Sequence, residues 1–344
     1  MAEKKEAPLM VAEEYYQISQ EMLNSFPKYR LPLPVFRYKE EVAQLQPFIA
    51  REQRMTNEQV EEVHNLAKTG DLFVSRADYP IYSKHIIKQL DLILSDSNLK
   101  EGEIAYICVK ALTMRLQEYL EQPIKIVGER LMADTLVFTE YLFHDPFRIK
   151  AFLNRLERVH TLPTHSVNTM IVGMWLYLHS VRDEKKIERK EVDRYALGFL
   201  LHDVGMSKVP AFILQKTTPL KPDEKDKILS HAMVGAKMVQ KLELGWDELM
   251  YAAFEHHERM NGSGYPRKLP GEQISKIGRL CAIADSFSAM ITERPYAKAK
   301  EVMEAAQEVA NDAKYDSRYS SLIRNGLVTK EITMSPPKDP EFKV

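Results

Sequence analysis

His202-Asp203-Val204-Gly205, His231-Ala232-Met233-Val234-Gly235 and His256-His257-Glu258-Arg259-Met260-Asn261-Gly262-Ser263-Gly264-Tyr265-Pro266 mark out one stretch of chain, and its reading decides the fold. Each histidine stands in or beside an apolar run at helical spacing rather than in a polar loop. Imidazoles and a carboxylate in adjacent pairs on helix ends are most economically explained as ligands of metal ions. Working outward, His165 upstream and Asp285 downstream fall in the same kind of context, the latter within Cys281-Ala282-Ile283-Ala284-Asp285. A lone carboxylate among apolar residues is costly to bury unless it is paired or bound to a cation. Five imidazoles and two carboxylates suffice for two divalent ions, and a donor set without thiolates leaves several first-row metals open. Asp203, whose neighbour His202 already commits that helix end to the site, is the natural bridge. Two ions about 3.5–4 Å apart can clamp both oxygens of an in-line phosphoryl displacement.

The surrounding chain fits this reading. Apolar runs at Val167–Leu178, Tyr195–Leu201, Met233–Leu242, Leu249–Phe254 and Ile277–Met290 have helical spacing, and prolines and glycines collect between them. Period-two alternation is absent there, which predicts an all-α helical bundle. From Asp78 to about Leu156 the pattern is again helical, interrupted at Pro123 and at Asp145-Pro146. Further upstream the spacing of Tyr15, Ile18, Met22 and Leu23 predicts one amphipathic helix over 10–25. Val35–Tyr38, Leu45–Ala50 and Leu72–Val74 read as short strands. Thr56 reads as the N-cap of a helix to Lys68, with Gln59 completing a capping box and Gly70 as the stop. The expected fold class is therefore mostly α: a C-terminal helical bundle with connecting helices and a smaller N-terminal α+β domain. The expected division is a regulatory or sensory part over 1–145, a metal-binding domain over 146–330 and a tail over 331–344.

Composition sets outer limits. A chain of 344 residues is long for one domain, and 44% hydrophobic residues suit a globular core. Lys+Arg at 48 against Asp+Glu at 49 gives net charge -1, which argues against nucleic acid and against a polybasic membrane contact. Cys108 and Cys281 are far apart and in apolar contexts, so inert thiols in a reducing compartment are expected. The charged start Met1-Ala2-Glu3-Lys4-Lys5-Glu6 lacks an apolar core, and no run reaches the ~20 residues that span a bilayer. A cytoplasmic location is the expectation.

His165-Ser166, His202-Asp203-Val204-Gly205, His231 to Gly235, His256 to Arg259, Gly262-Ser263-Gly264-Tyr265-Pro266, Arg279, Ala284-Asp285 and Arg294-Pro295-Tyr296, in that order, resemble the HD-GYP family. This is a branch of the HD metal-dependent phosphohydrolases that opens cyclic di-GMP, and the resemblance spans roughly residues 155–320. It implies His165, His202, Asp203 and Asp285 at one ion and His231, His256 and His257 at a second, with Asp203 bridging. Thr161 stands where some members carry a glutamate for a third metal, so two divalent ions are expected: iron or manganese first, with zinc, nickel or magnesium as alternatives. The implied reaction is hydrolysis of cyclic di-GMP to pGpG, with GMP as a further product, by attack of a metal-held hydroxide. Tyr265, with Gly264, would meet guanine and Arg294 a phosphodiester, with Lys298 close by. Implied partners are cyclic di-GMP or a related nucleotide, signalling proteins such as diguanylate cyclases, and a second copy of the chain in a homodimer.

The departures from the family pattern bear on turnover. Met206 replaces a usual lysine, and a thioether neither offsets phosphate charge nor donates a hydrogen bond. Losing one such electrostatic donor costs ~3 kcal/mol. Lys208, two positions on, is the candidate to reach in as a catalytic cation beside Asp203. Ser288 and Asn261 replace usual aspartates, and Ala297 a usual basic residue. These changes keep every expected metal ligand, and they motivate an alternative reading as a weak or inactive module that senses cyclic di-GMP or docks a protein. Blander readings apply elsewhere. Tyr265 could simply pack a glycine turn, Arg294 could form a surface ion pair, and His144, His179 and Met206 could be filling. Lys221 to Lys227 reads as a charged, solvated helix start.

Overall fold

A computed structural model describes residues 14–328 except 40, 41, 43, 95, 97, 98, 183–186, 295 and 296. The start of the expected 10–25 helix, the Pro295-Tyr296 pair and the tail lie outside the described residues. Two compact units meet at Cys108/Val109 in the sequence.

The N-terminal unit is built on an antiparallel sheet of order β1-β4-β2-β3, with β1 Tyr15–Gln17, β2 Val35–Lys39, β3 Gln44–Ile49 and β4 Leu72–Ser75. Residues 15–17 thus correct the single helix expected there. Tyr15, Tyr16 and Gln17 pair with Ser75, Val74 and Phe73, and the helix (α1, Gln20–Ser25) starts only where the Ser19 side chain accepts from Met22 N. Tyr16 and Ile18 are buried in the strand arrangement, so the apolar spacing is satisfied without a helical turn between them. β2 and β3 form a hairpin with a register shift between Val35 and Phe36, and Pro47 is tolerated because β3 is an edge strand. The helix α2 (Asn57–Thr69) carries the expected capping box of Thr56 and Gln59 and stops at Gly70 with φ 85°. A short helix α3 (Tyr79–Ile86) follows.

Helix α4 (Glu101–Glu121) ends before Pro123, and α5 (Lys125–His144) ends at Asp145, whose side chain caps the next turn at Phe147 N. After α6 (Ile149–Leu153) comes the central helix, α7 (Leu162–Ser180), buried at every position from His165 to Leu178. A helix apolar on all sides must lie inside its neighbours. α8 (Arg189–Leu201) and α13 (Lys276–Met290) pack on it, and Gly173 lies where any Cβ would meet the Phe199 ring at 2.7 Å. α9 (Ala211–Leu214) and α10 (Pro222–Leu229) lead into α11 (His231–Gln240), which packs on α12 (Asp247–Glu255), itself against α8 and α13. α14 (Val302–Asn311) and α15 (Ser317–Val328) pack on each other. The fold is mostly α, with the bundle in the C-terminal half. No described helix is long and apolar enough to cross a membrane.

Candidate metal centre

Five segments deliver the seven expected donors. His165 is in the first turns of α7, behind the Thr161 N-cap, which pairs with Thr164. His202 closes α8 and Asp203 follows it. His231 opens α11, His256 closes α12 with His257 next to it, and Asp285 is in the middle of α13. Their donor atoms fall into two sets, each within 4.8 Å: Asp203, His231, His256 and His257; and His165, His202 and Asp285. Asp203 joins them. Its Oδ1 is 3.2 Å from His231 Nε2 and 3.6 Å from His256 Nε2, and its Oδ2 is 3.7 Å from His165 Nε2 and 3.8 Å from His202 Nε2. His165 Nε2 is also 3.0 Å from Asp285 Oδ1, and His257 Nδ1 is 3.9 Å from Asp285 Oδ2.

Close packing of glycines makes this convergence possible. A Cβ on Gly205 would stand 2.0 Å from the His231 carbonyl oxygen, so only glycine lets the turn after Asp203 touch the start of α11. At Gly264 a Cβ would stand 2.4 Å from the His257 carbonyl oxygen, and the loop there folds back until Tyr265 N donates to that oxygen at 3.2 Å. The Tyr265 ring stacks on His257 with centroids 4.6 Å apart. Buried Glu258 holds the loop from beneath, accepting from Arg267 N at 2.7 Å and Leu269 N at 3.0 Å.

The donor chemistry fits cations. Nδ1 of His202, His231 and His256 each donates to a backbone carbonyl, of Phe199, Ile228 and Ala252. In the neutral rings the lone pair is therefore on Nε2, the arrangement by which outer hydrogen bonds aim histidines at a metal. His202 Nε2 is fully buried without a hydrogen-bond partner. His231 Nε2 and His256 Nε2 face each other at 3.1 Å, which two lone pairs tolerate only with a proton or a cation between them. Donors about 2.1 Å from one ion stand roughly 3–3.5 Å apart, close to the spacings found here.

Electrostatics follow the same logic. Burial opposes ionisation of Asp203 and Asp285, but the histidines around them, first His202 for Asp203 and the His165 hydrogen bond for Asp285, hold both carboxyls far below the usual range. Burial pushes His202 down to about 4, and His257 is also driven well below its ordinary value. Burial pulls His231 down as well, but the hydrogen bond and charge of Asp203, the Ile228 carbonyl and the charge of Asp285 together move it the other way. Two ionised carboxylates, beside the His202 and His257 rings that burial keeps neutral, form an anionic cup.

The cup opens into a cavity of about 620 Å³ whose lining includes His165, Asp203, His231, His257 and Asp285. Tyr265 and Arg294 line it, as does Met206. Gly264 is buried behind the wall. Lys208 and Lys298 are both exposed and are not among the lining residues, so neither reaches the cavity. Ser288 is buried on α13, and Asn261 turns inward on its loop, accepting from Ser263 N and Oγ. Lys216, absent from the sequence reading, and Arg259, quoted there only as part of a motif and given no role, also line the cavity. The sequence reading passed over His160 too, whose ring is 5.6 Å from that of His165 and whose pKa burial and Arg294 lower to about 4. Arg259 could have been given a role from its place two residues after the paired histidines; a single lysine in a polar loop gives no comparable signal.

Comparison with known proteins agrees with this geometry. Residues 159–319 match the HD domain family. The chain is 34% identical over 177 residues to a cyclic di-GMP phosphodiesterase of Thermotoga maritima, covering 50% of this chain and 46% of that protein. It is 28% identical over 203 residues to the cyclic di-GMP phosphodiesterase response regulator RpfG of Xanthomonas campestris, covering 58% and 52%. The chain thus spans about half the length of these curated relatives. In fold it is similar to Bd1817, an HDG"Y"P protein from Bdellovibrio bacteriovorus, with a TM-score of 0.59 and 16% identity over 92% of this chain and 100% of that one. The C-terminal half of the chain thus carries an HD domain over residues 159–319, similar to those of cyclic di-GMP phosphodiesterases.

Proposed function

We propose that the chain is a binuclear metal-dependent phosphodiesterase that hydrolyses cyclic di-GMP to pGpG. The observation that carries this reading is Asp203, which stands between two sets of buried donors at the floor of an open cavity. His165, His202 and Asp285 would hold one ion, and His231, His256 and His257 the other, with Asp203 shared. Divalent cations held there supply Lewis acidity toward a phosphodiester and lower the pKa of water. The chain's own residues do the rest. Arg294 binds a phosphate oxygen, Tyr265 offers its ring to a guanine, and the apolar wall of Ile213, Leu214 and Ile228 keeps bulk water from the reacting face. Ionised Asp203 fixes the spacing of the two donor sets. Lys208 and Lys298, outside the cavity lining, take no step. We assign the segment before the domain a regulatory role and place the protein in the cytoplasm, where the two buried free thiols persist.

The purified chain, loaded with iron or with manganese, is expected to convert cyclic di-GMP to pGpG, and Asp203→Ala to be inert. Equal product from both proteins would refute the assignment. A second reading, a sensor that binds the nucleotide without turning it over, is favoured by Met206, which lines the cavity with a thioether. Calorimetric binding with no product in either metal form would select it.

A further inference from the structure

Among the described residues, three cationic side chains line the cavity: Lys216, Arg259 and Arg294. Arg259 is turned back on the protein. Its Nη1 donates to the carbonyls of His256 and Glu258, each at 2.9 Å, and its guanidinium is 5.1 Å from the centre of the Tyr315 ring. Lys216 is held differently. Its Nζ is 2.5 Å from Glu224 Oε2, and the same oxygen accepts from Lys221 N at 2.7 Å at the start of α10. One carboxylate thus ties both ends of the segment 216–221, whose Thr217, Thr218, Pro219 and Leu220 form part of the cavity wall. An ammonium has three donors, and Glu224 engages one of them.

We propose that Lys216 is a substrate-binding residue that donates to a phosphate oxygen in the cavity, and that Glu224 is the positioning residue that holds its ammonium there. The part of the wall formed by residues 216–220 thereby gains the charge that Met206 does not provide. A cyclic dinucleotide carries two phosphodiester anions, and Arg294 and Lys216, from segments about eighty residues apart, suit one each. The inference rests on the phosphodiester reading of the site, but it is tested by a probe that does not require turnover.

Inorganic phosphate is titrated calorimetrically into the metal-loaded wild type, Lys216→Met, Lys216→Gln, Glu224→Ala and the Lys216→Met/Glu224→Ala pair, at low and high salt, with metal per chain measured for each. Lys216→Met is expected to weaken phosphate roughly 30-fold with metal content unchanged, as expected for loss of a charge-assisted hydrogen bond. Lys216→Gln should fall between, and the salt dependence should become shallower in both. Glu224→Ala should weaken binding alone yet add nothing to Lys216→Met, because it acts through the lysine; a merely structural carboxylate would add its loss to the pair. Wild-type affinity and salt dependence in Lys216→Met, or no phosphate uptake by the wild type, would overturn the proposal. Assay of wild-type cyclic di-GMP hydrolysis in parallel keeps the two ideas apart. Turnover with unmoved phosphate affinity removes Lys216 alone, whereas lost affinity without turnover removes only the activity.

Discussion

Replacing Gly205 by alanine asks a methyl group to enter space already filled by backbone. The new Cβ would lie 2.0 Å from the His231 carbonyl oxygen and 2.6 Å from Gly235 N, and neither neighbour is a flexible side chain that can swing away. To reach an ordinary contact of 3.4 Å, the turn must retreat from α11 by about 1.4 Å. Asp203, two residues before, moves with it. Its Oδ1, now 3.2 Å from His231 Nε2, would end near 4.6 Å, beyond the roughly 3–3.5 Å expected for neighbouring ligands of one ion. Overpacking of this kind costs about 1–3 kcal/mol. A misplacement of about 1 Å at a reacting centre lowers the rate about a hundredfold. The assay is metal per chain, the urea midpoint and cyclic di-GMP turnover for Gly205→Ala. Gly235→Ala serves as the control, because its Cβ meets nothing closer than Gly205 N at 3.2 Å. Full metal content and a wild-type midpoint in Gly205→Ala would show that this close approach is not what joins Asp203 to His231.

Other expected outcomes follow from the same structure. Glu258→Gln replaces one of two carboxylate oxygens facing backbone N–H groups by a donor, so stability should drop by about 1–3 kcal/mol in urea melts and the KM for cyclic di-GMP should rise; an unchanged midpoint would dissociate Glu258 from the loop. Stripping metals with a chelator leaves seven polar side chains unliganded, and melting should fall by about 5–10 °C, reversibly on reloading. A melting curve indifferent to metal would remove the centre. In the N-terminal unit, burial against Phe26, with Lys88 nearby, lowers the pKa of His85 although Ser25 opposes this. The unfolded chain therefore takes up this proton first, so the stability His85 contributes is whole above about pH 6.5 and fades as the pH falls toward its folded value. His85→Phe should show a smaller loss of urea midpoint between about pH 7.5 and about pH 5.5 than the wild type; equal losses would exclude His85 as the source.

What the sequence made legible was governed by distance along the chain. The helices carrying the donors announced themselves through apolar runs of ten residues or so, and Thr56, Gln59 and Gly70 predicted both ends of α2 because caps are local. Residues 15–18 misled for the same reason. Their spacing suits a helical face, but Tyr15 to Gln17 are strand because Phe73 to Ser75, nearly sixty residues on, are there to pair with them. The Ser19 cap, three residues before Met22, was the available local sign that the helix begins later. At the candidate site the residue types were visible, but the grouping of His165 with Asp285, 120 positions away, came only with the resemblance. Lys208 shows the limit of counting along the chain. Two residues past Met206 in a 3₁₀ turn is a different side of the backbone, and the side chain leaves for solvent.

The hydrogen bonds from Nδ1 of His202, His231 and His256 run to carbonyls only three or four residues earlier in the chain. Each ring is therefore aimed by its own stretch of backbone rather than by what it grips. A cage kept open in this way needs no refolding between one occupant and the next. Exchange of one divalent ion seated there for another would be a matter of supply and off-rate, so the cell's metal stock, not the polypeptide, would set which form circulates.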